Sequence, residues 1–334
     1  MNAVIRGTGS SVPETKITNA DLEKLVETDS EWIVSRTGIE ARGILDPSEA
    51  TSDIATRAAR AALEMAGIGA TDLDLIIVST MTPDMFCPST ACLLQFNLEC
   101  ERPIPSFDLN AACSGFGYGL QVCCDFILAG RYKRILLVGA EALTRFMDYE
   151  DRSTCILFGD GAGAVVIEAS EDEAGIVASN TRADGRHWDM IHIPGAAARK
   201  PASPYVLAQR EQFVRMNGRS TFKLAVQTME QVARETLKDA GWGIEDVDHV
   251  IVHQANRRII EAVAERLQVP LEKVPINIEQ TGNTSAASIG ILLDECTRAN
   301  RFEVGDKLLF VAFGSGLTWS ATALEWSRLG PAPA

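Results

Sequence analysis

Two stretches of this chain are copies of one another. ARAALEMAGIGATDLDLIIVS (59–79) aligns without gaps on ARETLKDAGWGIEDVDHVIVH (233–253) at an offset of 174, with ten of twenty-one positions identical. A repeat of this kind commits the 334 residues to two similar units. Each copy reads as an amphipathic helix stopped at Ala-Gly, a polar loop and a strand, Leu75 to Val78 in the first and Val250 to Val252 in the second. Farther on, KRILLVGA (133–140) falls opposite DKLLFVAF (306–313) at an offset of 173. Such strands are apolar throughout, as strands covered by helices on both faces are. The pattern predicts an α/β protein of two pseudo-symmetric halves, 1–173 and 174–334, each burying its sheet against its twin.

The repeat also points to a site. Carried along at 174, Ala112 falls on Ala286, Cys113 on Ala287 and Ser114 on Ser288. The turns in DLNAACSGFGYGL (108–120) and NTSAASIGILL (283–293) are therefore expected to be equivalent and to face each other near the axis. Where the first strand ends in Ser79 the second has His253, at the carboxyl end where α/β sheets build sites. Cys113, His253 and Asn283 thus stand at strand-to-helix turns. SFDL ends a strand and SGFGYGLQVCCDFIL reads as a helix, so Cys113 is expected to feel the positive end of the helix dipole, with a lowered pKa. Its small neighbours are expected to leave room for a substrate. FGSGLTW (313–319) follows a strand, and its glycines would let a backbone N–H complete an oxyanion hole. FGDGAGAVVIE (158–168) precedes a strand rather than a helix, so it is read as a hairpin turn and not a dinucleotide fingerprint.

Several classes drop out. A net charge of −14 opposes nucleic-acid binding. The eight cysteines form no C-x-x-C and the four histidines fall in no metal-ligand spacing, so no metal is expected and most cysteines read as buried filler. Without a signal-like start or an eighteen-residue apolar run, the chain reads as cytoplasmic.

DLNAACSGFGYGL, VIVHQANRRII, GNTSAAS and FGSGLTW, in this order, resemble the β-ketoacyl-(acyl-carrier-protein) synthase III enzymes over nearly the full chain. The resemblance implies a thiolase-like fold, with helices between and around mixed sheets in five layers. It implies an acyl-CoA primer loaded on Cys113 and condensed with malonyl carrier protein, no cofactor, and a homodimer. His253 and Asn283 would hold the enolate oxygen, and the N–H groups of Cys113 and Ser315 the oxyanion of acyl transfer; relatives commonly have glycine where Ser315 stands. Trp32 and Arg152 would flank adenine, with Arg36 near the phosphates and Phe222 and Asn256 along the pantetheine. Lys223 and Arg258 match a carrier-docking patch to which Arg257 and Arg219 are added here. Cys87, Leu143 and Phe158 would line the acyl pocket. Many relatives carry phenylalanine at Cys87, closing that pocket across a dimer interface; Phe86 or Met81 could refill the space.

The residue types fit this chemistry independently. A thioester exchanges onto a thiol at little cost in bond energy, and decarboxylation makes a carbanion without a strong base. Two neutral donors suit an enolate oxygen, where a carboxylate would repel it. Alternatives stay open: a relative acting in secondary metabolism, or a thioester hydrolase in which water discharges the acyl-enzyme.

Overall fold

The computed structural model of the chain describes residues 1–171 and 175–331. One sheet contains β1 (Asn2–Ser11), β2 (Leu75–Ser79), β3 (Ser106–Leu109), β4 (Arg134–Glu141) and β5 (Gly161–Ser170), in the order β1-β5-β4-β2-β3. The other contains β6 (Gly175–Ala183), β7 (His249–Val252), β8 (Lys307–Gly314) and β9 (Thr318–Glu325), in the order β6-β9-β8-β7. Read from β1 or from β6, both run antiparallel, antiparallel, parallel. The first sheet adds β3 at its edge, parallel to β2. The junction expected between residues 173 and 174 lies outside the described residues.

The helices that matter here are α1 (Ser30–Thr37), α2 (Thr51–Ala66), α3 (Thr90–Asn97), α4 (Gly115–Leu128), α5 (Gly218–Ala240), α6 (Arg257–Leu267) and α7 (Ser288–Arg298). Alternation within the apolar strands explains the layers. Leu75 and Ile77 of β2 share a core with Leu308 and Phe310 of β8, so these faces meet between the sheets, around α4 and α7. Ile76 and Val78 point the other way, onto α2 and α3. Leu309 and Val311 of β8 turn outward to a third core with α5 and α6. The result is the five-layer arrangement. In both copies of the repeat the helix ends at its Ala-Gly, with Gly67 at φ +69° and Gly241 at φ +72°, the left-handed cap that glycine adopts without strain. Among the described residues no helix is long and apolar enough to cross a membrane.

Each half enters its central helix through the same elbow, one short 3-10 turn at Ala112–Ser114 and one at Ser285–Ala287. Ala112 stands at φ +47° and Ser285 at φ +49°, a conformation uncommon outside glycine. Asn110 Oδ1 accepts from the Ala112 N–H at 3.2 Å, and Asn283 Oδ1 accepts from the Ser285 N–H at 2.8 Å. The true offset here is therefore 173, which pairs Cys113 with Ala286 rather than Ala287, and Asn283 with Asn110. The frame of 174 slips by one residue between the repeated strand and the elbow, where runs of alanine and serine conceal the shift.

FGDGAGAVVIE makes no hairpin. Residues 142–160 form a long connection from β4 to β5, and Gly161 and Gly163 lie within β5. A Cβ on Gly163 would stand 2.4 Å from the carbonyl carbon of Gly290 on α7, so these glycines serve close packing of helix on strand.

Candidate functional site

Cys113 in the first elbow, His253 just past β7 and Asn283 at the second elbow open onto one cavity of about 290 Å³. His253 is 1% exposed, and its backbone N–H donates to the Val311 carbonyl at 2.8 Å. Its Nδ1 lies 2.6 Å from Ser288 Oγ, which itself accepts the Gln254 N–H at 3.3 Å. The Ser288 hydroxyl proton is thus free to go to Nδ1, which leaves the proton of the imidazole on Nε2. Burial holds this imidazole down at about 3, so it is neutral at physiological pH. The Asn283 backbone is clamped to the other half by hydrogen bonds with Leu157 and Gly159. Because Oδ1 is taken by Ser285, the amide NH₂ is what Asn283 offers a ligand.

Two expectations about Cys113 need correction. Its thiol is not acidified: burial, reinforced by the charge of Glu141, pushes it up to about 12 against a stabilising hydrogen bond from Ser285. Nor do the glycines after Cys113 make room for substrate. A Cβ on Gly115 would meet Ser79 Oγ at 2.0 Å, on Gly117 Ser320 Oγ at 2.2 Å, and on Gly119 Leu137 Cδ1 at 2.4 Å. They let α4 fit between the two sheets.

Gly314 brings the second wall into place. A Cβ there would lie 2.7 Å from the Cys113 nitrogen, so the end of β8 touches the first elbow backbone to backbone. Ser315 lines the cavity beside Cys113, and its hydroxyl donates to the Ile191 carbonyl. Serine at this point keeps the backbone N–H and ties the strand end to the Ile191–His192 ribbon.

At the outer end of the cavity the ring of Trp32, on α1, has the guanidinium of Arg36 at 4.9 Å and that of Arg152 at 5.0 Å from its centre. Arg36, Phe222 and Asn256 line the same end; Asn256 also caps α6, accepting the Arg258 N–H at 2.9 Å. Leu143 and Phe158 are buried against the inner end, joined by Met81. Cys87 is not brought there: it is exposed, next to a Phe86 that is 87% exposed, so within one chain Met81 and not Phe86 occupies that wall. Arg219, Lys223 and Arg258 are exposed, with Arg258 over the Phe222 ring. Arg257 is no free docking charge, being paired with Glu261 at 2.9 Å and Glu279 at 2.7 Å. Among the described residues no group of three or more acidic, cysteine or histidine side chains could hold a metal ion.

Family models for 3-oxoacyl-[acyl-carrier-protein] synthase III match residues 107–185 and, for the C-terminal part, 237–326. The β-ketoacyl-[acyl-carrier-protein] synthase III of Caldanaerobacter subterraneus subsp. tengcongensis is 47% identical over 98% of both chains. This chain belongs to the β-ketoacyl-[acyl-carrier-protein] synthase III family. Among solved structures, the synthase III of Aquifex aeolicus superposes with a TM-score of 0.90 at 46% identity, covering 97% of this chain and 100% of that one. The priming β-ketosynthase of the R1128 polyketide pathway superposes equally well at 33% identity, covering 98% and 97%. The two-half architecture is the thiolase fold, and a synthase III is an acyltransferase of the condensing type.

For a synthase III the residues that sequence reasoning overlooked are Ser288, Ser285 and Glu141. Glu141 did leave a signal, a carboxylate closing the apolar run KRILLVGA. The two serines left none, since a hydroxyl in a small-residue turn reads as a cap.

Proposed function

We propose that this chain primes fatty-acid synthesis by condensing an acyl-CoA with malonyl carrier protein, using Cys113 as nucleophile. The observation that carries the reading is the convergence of Cys113 with two neutral donors, the imidazole of His253 and the amide of Asn283, on one cavity. The Cys113 sulfur attacks the thioester carbonyl, whose oxyanion is held by the N–H groups of Cys113 and Ser315 while CoA departs. The malonyl thioester then loses CO₂, and its enolate oxygen is held by His253 and Asn283. The resulting carbanion attacks the acyl-Cys113 carbonyl, breaks the bond to sulfur and leaves as the 3-oxoacyl product. A histidine that stays neutral suits donation to an enolate better than activation of a thiol.

CoA would enter past Trp32, parting it from Arg152 so that adenine takes the place of the guanidinium, with Arg36 toward the phosphates and the pantetheine along Phe222 and Asn256. The acidic carrier would dock on Arg219, Lys223 and Arg258. A homodimer is supported by the unpaired edge of β3 and by Phe86 and Phe96, 87% and 80% exposed. That partner would bring Cys87 to the acyl pocket formed with Leu143 and Phe158. The reading further assigns the enzyme to the cytoplasm, with no cofactor.

The test is intact mass after incubation with a panel of acyl-CoAs, before and after malonyl carrier protein. An adduct on Cys113, discharged as 3-oxoacyl product, is expected. Discharge by water alone would make the protein a hydrolase. The likeness to the R1128 enzyme and the small residue at Cys87 favour one second reading, priming in secondary metabolism; preference for a carrier of that pathway over the fatty-acid carrier would select it.

A further inference from the structure

The side chain of Asn256 makes two hydrogen bonds, and each closes a helix end that belongs to a different half of the chain. Its Oδ1 accepts the Arg258 N–H at 2.9 Å and caps the start of α6. Its Nδ2 donates at 3.0 Å to the carbonyl of Arg36, in the last turn of α1, where a helix leaves its carbonyls without partners of their own. The two ends approach closely at this point. Gly38 ends α1 at φ +76°, and a Cβ there would lie 2.6 Å from Arg257 Cβ, in the first turn of α6.

The Arg36 guanidinium has little else to hold it. Its side chain is exposed, and among the described residues no carboxylate stands within ion-pair distance of it. It lies over the ring of Trp32, four residues back on the same helix, so the two move as one with the backbone of α1. Ile33 and Thr37 bury the opposite face of α1, and Asn256 ties its last turn to the second half. The place of Trp32 and Arg36 at the mouth of the cavity thus depends on a side chain more than two hundred residues away.

Resting on the reading of Trp32 and Arg36 as the seat of the CoA nucleotide, we propose that Asn256 is a positioning residue for that end of CoA. It lines the pantetheine passage, but it contributes to binding through Arg36 and Trp32, by fixing the last turn of α1. The competing role is a hydrogen bond to the pantetheine arm itself, for which Nδ2 keeps a second hydrogen. Substrate chemistry separates the two. Acetyl-CoA, acetyl-pantetheine and malonyl carrier protein all bring the same arm into the cavity, and only CoA brings a nucleotide. A bond to the arm is felt by all three. A displaced α1 is felt by CoA alone.

The experiment is rapid-quench acylation of Cys113 in the intact enzyme by acetyl-CoA and by acetyl-pantetheine. The ratio of the two second-order rate constants measures what the nucleotide end adds. Asn256→Ser retains a good cap for α6 and is too short to reach the Arg36 carbonyl. It is expected to lower the ratio about fivefold, the worth of one net hydrogen bond, with the loss in the KM for acetyl-CoA rather than in the maximal rate. The KM for malonyl carrier protein should follow acetyl-pantetheine. Arg36→Ala should lower the ratio as well, and adding Asn256→Ser to it should lower the ratio no further, because both act on one contact. Equal losses with both acetyl donors, or a further fall in the double variant, overturn the positioning role and leave the nucleotide seat intact. A ratio that Arg36→Ala does not change overturns both.

Discussion

At the scale of single residues, the proposed chemistry of this cavity rests on neutral groups held in one orientation. With the Ser288 hydroxyl donating to Nδ1, the imidazole of His253 keeps its proton on Nε2. Ser288→Ala should therefore lower the condensing half-reaction about tenfold, as loss of an orienting partner on a working histidine does, while single-turnover loading of Cys113 is unaffected. Stopped-flow CO₂ release compared with rapid-quench acylation separates the two; equal loss in both would mean that Ser288 supports the elbow rather than the imidazole. The repeat made His253 visible as the residue that replaces Ser79, and it drew attention to Cys113 and Asn283 by pairing the two turns that carry them. It could not reveal Ser285 or Glu141, which hydrogen-bond to each other across 144 residues of chain.

At the scale of elements, the narrow point is α4, packed between two sheets with glycine where side chains of the sheets cross it. Gly117→Ala would drive a methyl against Ser320 Oγ, 2.2 Å away, and should cost about 1–3 kcal/mol by overpacking. Denaturant unfolding measures this, and a variant as stable as wild type would mean that β9 yields easily. The same helix shows where reading the sequence succeeds and where it stops. Strands and helices were legible because a residue's burial follows its period. The purpose of the glycines was not, because a gap left for substrate and a gap left for a neighbouring strand look alike in one dimension. The hairpin expected at FGDGAGAVVIE failed for the same reason: those glycines answer to α7, which lies more than a hundred residues farther along.

At the scale of the whole molecule, two duplicated halves share one cavity, and a second copy of the chain is expected to complete its inner end. Cys87 is exposed, so it can shape the acyl pocket only from the partner. Cys87→Phe should shift the acyl-CoA profile toward shorter primers and leave loading of the shortest one within about twofold, since a larger side chain acts by excluding volume. Phe96→Asp, at a phenylalanine that is likewise exposed, should yield a monomer by sedimentation and abolish the effect of Cys87→Phe. Identical profiles for wild type and Cys87→Phe would remove Cys87 from the pocket.

The matched elbows have one more implication. Asn110 and Asn283 hold the same bend, Ala112 and Ser285 share the same angle, and the next residue is a thiol on one side and Ala286 on the other. The backbone thus provides two seats for a nucleophile and fills one. On the proposed reading, which half attacks and which half receives is a choice written in a few side chains on an ambidextrous frame, so the direction of the chemistry is a more editable property of this chain than its shape.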